Sequence, residues 1–405
     1  MPRIGCPRFR VVPVFPLALV LVALGCREDD SSPTAPAPQP ALAITATTAL
    51  AFYQMSGGYL STCGLTTDNR AFCWGYNTQG ELGDGTTFER WTPVPVAGTL
   101  RFRQVSAGYD NTCAVTTDFH AYCWGSNVHG VLGDGTTTRR LRPVAVAGGH
   151  RFRTVESFGY HTCGVSYPDE HAYCWGENFD GQLGDGTRID RLTPVAVSGA
   201  LAFHQLTAGY KHTCGVTTDE RVFCWGNNKY GQIGDSSTAF RRLKPSRVGR
   251  THRWHQVDAG GNTSCAVATT HAIFCWGNGR EGEFGNGHLY LSFWPRNQGD
   301  PTVKYHRVTV GWQHTCGEAD SGVSYCWGSN LFGELGSQEG LGSRWTFRTG
   351  VTGGHEFVQL SAGGFHTCGK TLAGVAYCWG YNANGQLGDG TTTDRFTPVA
   401  VAGPM

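Results

Sequence analysis

The sequence predicts an all-β chain: a seven-bladed β-propeller with four short antiparallel strands per blade. Three observations predict it. Cys-Trp-Gly occurs seven times, beginning at Cys73, Cys123, Cys174, Cys224, Cys275, Cys326 and Cys378, at spacings of 50 to 52 residues. Each copy holds four short apolar runs punctuated by turn residues, which is the size of a propeller blade. Glycine (58 residues) and tryptophan (12 residues) are abundant, as tight turns and aromatic layers between sheets require.

The chain before the repeats reads as an export segment. Residues 1–25 carry Arg3, Arg8 and Arg10, then an apolar run broken by Pro13 and Pro16, too short and too interrupted for a transmembrane helix. The run ends in Val22-Ala23-Leu24-Gly25-Cys26, which resembles a bacterial lipobox with Ala23 where a larger apolar residue is usual. The expectation is a signal peptide over 1–25 and acylation of Cys26; the alternative is ordinary cleavage nearby with Cys26 a bystander. Residues 26–40, acidic and then Pro/Ala-rich, are expected to be an extended tether, and 41–405 the propeller. Removing 1–25 takes away three positive and no negative charges, leaving a formal net charge of −2, opposite to the balance of a nucleic-acid binder.

The second copy shows the order of elements. Residues 102–108 read as a strand entering a glycine turn, 112–116 and 121–124 as a hairpin around Thr117 and Asp118, 130–135 as a turn, and 143–146 as a fourth strand. A second cysteine stands 10 residues before each Cys-Trp-Gly, or 11 in the third copy: Cys63, Cys113, Cys163, Cys214, Cys265, Cys316 and Cys368. If paired cysteines face each other across the hairpin, a small residue always opposes an aromatic one, as Gly64 opposes Phe72 and Ala114 opposes Tyr122. Alternation then places that ring on the face opposite the cysteine. Four residues after each second cysteine stand Asn77, Asn127, Asn178, Asn228, Gly279, Asn330 and Asn382, which read as turn positions with positive φ.

The motifs Ser106-Ala-Gly108, His212-Thr-Cys214, Cys224-Trp-Gly226 and 385–392 resemble the regulator-of-chromosome-condensation repeat over about residues 41–405. The resemblance implies that the seven blades close into a ring. The family usually lacks the paired cysteines, so this chain looks like an export-adapted variant. One branch contains a nuclear exchange factor for a small GTPase; others are binding modules, including a secreted bacterial inhibitor of β-lactamases. Function must therefore come from a site.

Several residue sets compete for a role. The cysteine pairs could ligate metal or form disulfides; separate pairs on neighbouring strands of an exported protein favour seven intrablade disulfides, Cys63–Cys73 through Cys368–Cys378. His161, His212, His314 and His366 alternate with Ser61, Asn111 and Thr263 two residues before the first cysteine, which suggests a structural contact to a turn and no metal ring. Asp84, Asp134, Asp185, Asp235, Asn286 and Asp389 recur in Gly-Asp-Gly turns or their variants, with too few spaced oxygens for a calcium loop. No catalytic motif, cofactor loop or metal set is expected.

Two signals point to binding. Tyr59, Tyr109, Tyr160, Tyr210, Trp312 and, one position later, Phe365 follow the first strand, with Gly261 in the fifth copy. Either each covers its own turn, or together they form a partial ring around the channel mouth suited to a protein loop or a sugar chain. Copies five and six lose the repeat pattern over 280–284, 288–294 and 337–345, bringing Trp294 and Trp345 into expected loops. The sequence thus suggests a noncatalytic, envelope-anchored or secreted binding protein whose partner is a protein or polysaccharide, attached to a membrane only through its lipid. A GTPase exchange regulator and a polysaccharide-acting enzyme are the alternatives; export opposes the first, and no carboxylate pair is singled out for the second.

Overall fold

The computed structural model describes residues 50–249, 251–298 and 300–403. The expected signal peptide, Cys26, the tether and residues 41–49 lie outside them. The described chain forms seven four-stranded antiparallel sheets, each a meander of consecutive strands. Blade 1 consists of β1 (Phe52–Gly57), β2 (Ser61–Thr66), β3 (Ala71–Gly75) and β4 (Arg90–Pro95). Blades 2 to 7 repeat it over 102–145, 152–196, 203–247, 254–297, 305–350 and 357–400. The fourth strand of blade 2, Arg140–Ala145, begins three residues before the expected 143 because Arg140 still pairs with Gly125.

The hairpin register is the expected one. Cys63 faces Cys73 and Gly64 faces Phe72, and the same pairing recurs in every blade. All seven cysteine pairs are disulfides with Cα atoms 4.1 Å apart. The small residue is needed for a further reason: a Cβ on Gly64 would stand 2.6 Å from the Phe52 ring of the innermost strand.

Blades are joined by one recurrent network. The Trp124 indole N–H and the Thr112 hydroxyl both donate to the Glu81 carbonyl of the preceding blade, at 2.9 and 2.8 Å. In the same way Trp225 and Thr213 converge on Gln182. All seven tryptophans of the Cys-Trp-Gly motifs are fully buried. The histidines belong to this network. His161 Nε2 lies 2.8 Å from Thr213 Oγ1 of the next blade. That hydroxyl already donates to a carbonyl, so the ring must donate Nε2–H to it. The expected contact to a turn is thus a contact to a neighbouring blade.

The ring closes without exchanging strands. Blade 7 meets blade 1 through His366 with Thr62, Trp74 with the Gln386 carbonyl, and Gln359 with Met55. These are the contacts used between the other blades.

The asparagine reading is corrected. Asn77, Asn127, Asn178, Asn228, Asn330 and Asn382 are not among the residues with positive φ. They are buried loop organisers. Asn382 Nδ2 donates to the Thr391 and Thr393 carbonyls at 3.1 and 3.0 Å, and its Oδ1 accepts the Leu387 N–H at 3.0 Å. In blade 5 the Phe284 ring fills this space, so a Cβ on Gly279 would meet it at 2.6 Å. The aspartates make turns as expected: Asp84 accepts the N–H and hydroxyl of Thr86 and the Arg90 guanidinium, each at 2.8 Å.

Candidate functional site

In an antiparallel meander, the connection after the first strand and the connection after the third lie at the same end of the blade. The short aromatic turns and the long loops such as 76–89 therefore share one face of the propeller. The second-to-third-strand turns and the blade-to-blade connections occupy the opposite face.

The six candidate aromatics meet at the centre of the first face. Tyr59 stacks on Tyr109 with ring centroids 4.2 Å apart and meets Phe365 at 5.3 Å. Tyr109 continues to Tyr160 at 5.5 Å, and Tyr160 to Tyr210 at 6.4 Å. Trp312 closes the set from across the axis, 4.8 Å from Tyr210 and 5.2 Å from Tyr59. The arrangement is a plug across the channel, because the channel is narrow enough for opposite rings to touch; an open rim around a mouth is not formed. Each ring is half-buried, with one part spent on its neighbours and the rest facing outward. The missing ring of blade 5 has a steric reason: a Cβ on Gly261 would lie 2.5 Å from the Trp312 carbonyl oxygen.

Neighbouring groups extend the plug. Phe332 lies 5.9 Å from Phe365 and 4.9 Å from Tyr381, while the His129 ring lies 6.0 Å from Tyr160. None of these was singled out in the sequence, although Tyr381 directly follows a Cys-Trp-Gly motif. Polar groups border the rings: the Lys211 ammonium sits over Tyr210 at 5.5 Å and 3.7 Å from Glu177. Burial raises the Asp110 carboxyl beside the plug above its ordinary value. Burial, then neighbouring tyrosines, raises the Tyr109 phenol, so the phenol is neutral across the physiological range. The surrounding loops expose Phe88, Phe179 and Phe240, at 70, 57 and 71 % of their surface. Neutral phenols, an indole and exposed phenyl rings offer dispersion contacts and hydrogen bonding without a reactive constellation.

Trp294 and Trp345 are not part of this surface. Both lie in outermost strands, Leu291–Asn297 and Arg344–Gly350, and not in loops. Pairing with the third strand keeps these segments extended despite their irregular sequence. Trp294 is on the rim with the Arg296 guanidinium 4.5 Å from its ring. Trp345 packs partly against the core cluster that includes Leu335, Phe357 and Trp379.

Beneath the plug lies a cavity of about 130 Å³ bounded by the inner strands. Five glutamines clamp neighbouring inner strands around it. Gln54 donates to the Val105 carbonyl and accepts the Val105 N–H, both at 3.0 Å. Gln104, Gln205, Gln256 and Gln359 do the same to Val155, Val257, Val308 and Met55. Glu156 and Asp258 face the cavity. Glu156 keeps some surface open to the channel yet is enclosed by protein, and burial, then the nearby Asp258, pushes its carboxyl up to about 8.

Comparison with known proteins matches this architecture. Residues 22–297 match the RCC1-like domain, and residues 357–386 and 373–405 match the regulator of chromosome condensation (RCC1) repeat. The chain is 28 % identical over 232 residues to the ultraviolet-B receptor UVR8 of Arabidopsis thaliana, covering 56 % of this chain and 52 % of that protein. It is 30 % identical over 245 residues to the human E3 ubiquitin-protein ligase HERC2, covering 58 % of this chain and 5 % of that protein. The chain thus aligns with about half of one relative and a small part of the other. Among solved structures, Prp20p of Saccharomyces cerevisiae, described with its binding to Gsp1p and histones, superposes with a TM-score of 0.73 at 21 % identity, over 84 % of this chain and 87 % of that one. Human WBSCR16 superposes with a TM-score of 0.68 at 21 % identity, over 76 % and 83 %. At such identity the superpositions speak for fold alone. With seven repeats in the sequence, seven matching blades and a domain match across most of the propeller, the chain belongs to the RCC1-like domain family.

Proposed function

We propose that the protein is a noncatalytic binding protein that engages a protein partner through the aromatic face. The observation that carries this reading is the convergence of Tyr59, Tyr109, Tyr160, Tyr210, Trp312 and Phe365 into one half-buried cluster, on a face whose long loops also expose Phe88, Phe179 and Phe240. Rigid aromatic groups bury large area at small entropic cost, which is why they dominate interfaces. The relatives in sequence named above include a receptor and a ubiquitin ligase, which supports a binding or regulatory role. Seven buried disulfides suit an oxidising compartment and weigh against GTPase exchange in a reducing cytosol.

The same reading includes a lipid on Cys26 of the mature chain. The first described strand begins at the face opposite the plug, so an anchored chain would be free to present its aromatic face away from the membrane. Intact-mass measurement of detergent-extracted protein should find a diacyl or triacyl addition at Cys26, and an unmodified mature N-terminus elsewhere would remove the anchor.

The binding test begins with capture of partners from envelope extract and continues with the purified partner. Tyr109→Ala, Tyr210→Ala and Trp312→Ala should each weaken its binding by about 1–4 kcal/mol. The summed loss should differ from that of the triple variant, because the rings touch one another. Unchanged affinity in folded variants would make the cluster a packing device. Retention of a polysaccharide in place of a protein would replace the partner class.

A further inference from the structure

The channel mouth opposite the aromatic plug carries a second set of departures from the repeat. The residue that clamps neighbouring blades is glutamine in five blades, but Thr154 in blade 3 and Arg307 in blade 6. In blade 6 the structural bond has been reassigned. Arg307 lies cross-strand from Glu318, and Glu318 Oε1 accepts the Leu360 N–H at 2.6 Å, the N–H that a glutamine at 307 would have bound. The blade junction is therefore kept while the guanidinium is released toward the mouth.

Arg307 is joined there by Arg103 and Arg153. The three arginines, with Tyr53, Gln54 and Gln359, line one cavity of about 300 Å³. Arg103 makes no ion pair among the described residues, and its guanidinium rests 4.5 Å from the Phe119 ring centroid. The carboxylate paired with Arg307 is Glu318, at 3.9 Å from its Nε, while Arg153 pairs with Glu170. Deeper in the channel, burial pushes Glu156 up to about 8, so it cancels little of this charge, while the Asp258 carboxyl is engaged by the Thr207 hydroxyl and the Ala259 and Val310 N–H groups. The mouth is thus a concave polar site with excess positive charge and planar guanidinium donors, bordered by glutamines held in their clamps.

We propose that this mouth binds a phosphate-type oxyanion, supplied either by a soluble phosphate compound or by an anionic lipid headgroup. Guanidinium forks match phosphate oxygens in pairs, which makes arginine the residue suited to such recognition. The proposal is independent of the aromatic face, which lies at the other end of the channel.

The test uses the full chain carrying Cys26→Ser, so that no attached lipid confuses the measurement. One arm titrates inorganic pyrophosphate calorimetrically at low ionic strength. The other sediments the protein with phosphatidylcholine vesicles, with and without phosphatidylglycerol. Saturable binding in at least one arm is expected, weakened at least tenfold by Arg307→Gln and by Arg103→Gln. The Leu360 N–H is already held by Glu318, which loses its guanidinium partner in Arg307→Gln, so melting temperatures are measured in parallel. Arg103→Gln removes a guanidinium that makes no ion pair among the described residues, and so separates lost binding from misfolding. Binding in the pyrophosphate arm alone assigns a soluble ligand, and binding in the vesicle arm alone assigns a headgroup. No saturable binding in either arm, or binding that Arg307→Gln leaves unchanged, overturns the site.

Discussion

Single side chains in this propeller act mostly at a distance of one blade or one loop, and each such role has a distinctive substitution. Asn382 is fully buried and satisfies two loop carbonyls and one N–H. Replacing it with alanine leaves those groups unpaired, at a cost of about 1–3 kcal/mol in unfolding free energy. Asn382→Gly should cost at least as much. A glycine would have been an acceptable substitute if the position needed only a left-handed backbone. Chemical denaturation of the two variants separates these roles, and a stable Asn382→Gly would return the position to turn geometry. The motif tryptophans offer a second test. Trp225→Phe keeps most of the packing and removes the N–H donated to Gln182, so about 1 kcal/mol should be lost. Trp225→Ala removes the buried ring itself and should cost about 3–5 kcal/mol. Equal losses from both would show that the hydrogen bond, and not the ring, joins the blades.

At the level of the hairpin, the disulfide and the interblade layer are one structure. Cys214 and Cys224 are fully buried and pack with Trp254, Val257 and Trp276 of the next blade. Replacing both by alanine opens a short covalent loop, for which chain entropy predicts about 2–3 kcal/mol of lost stability, with some packing loss added. Peptide mapping without reduction should find every pair linked within its own blade; cross-blade links would overturn the register. This hairpin was legible because its constraints are local: paired cysteines and a small residue opposite an aromatic one recur within a dozen residues. The glutamine clamp was missed although a glutamine follows the first aromatic in five copies, because its partner is a backbone about fifty residues away. Trp294 and Trp345 were misplaced because outer-strand pairing is made by backbone and tolerates irregular side chains. The aromatic plug was legible in part. The repeat put six rings on one face, but their contact across the axis depends on channel width, which no single repeat encodes.

The whole ring couples its stability to pH through groups that burial holds in their neutral forms. Burial lowers His161, His212, His314 and His366 to about 3. The unfolded chain binds these protons near the ordinary value of about 6.5, so the stabilising contribution is fully present above that pH and is lost as pH falls toward 3. Each histidine adds a slope of up to about 1.4 kcal/mol per pH unit in that window. Glu81, Glu156 and Glu283 work in the opposite direction. Burial pushes each up to about 8, so their contribution is present below the ordinary carboxylate range and is lost as pH rises toward 8. Between about pH 4.5 and 6.5 the four histidines are opposed by the three glutamates, so stability should fall gently toward acid there, fall steeply below that window and, in the opposite direction, fall with rising pH above it. The acid limb can be assigned by substitutions with precedent in the chain. Asparagine occupies the equivalent position in blade 2, where Asn111 Nδ2 bonds Ser157 Oγ of the next blade at 2.7 Å. Ala259 stands at the Ser157 position in the blade after His212, so His212→Asn combined with Ala259→Ser reproduces that pair and should fold. Its midpoint temperature should drop less between pH 6.5 and 4 than that of the parent. Glu283→Gln should instead flatten the alkaline limb between pH 6.5 and 8. If His212→Asn with Ala259→Ser leaves the acid limb as steep as before, the buried histidines are not its source.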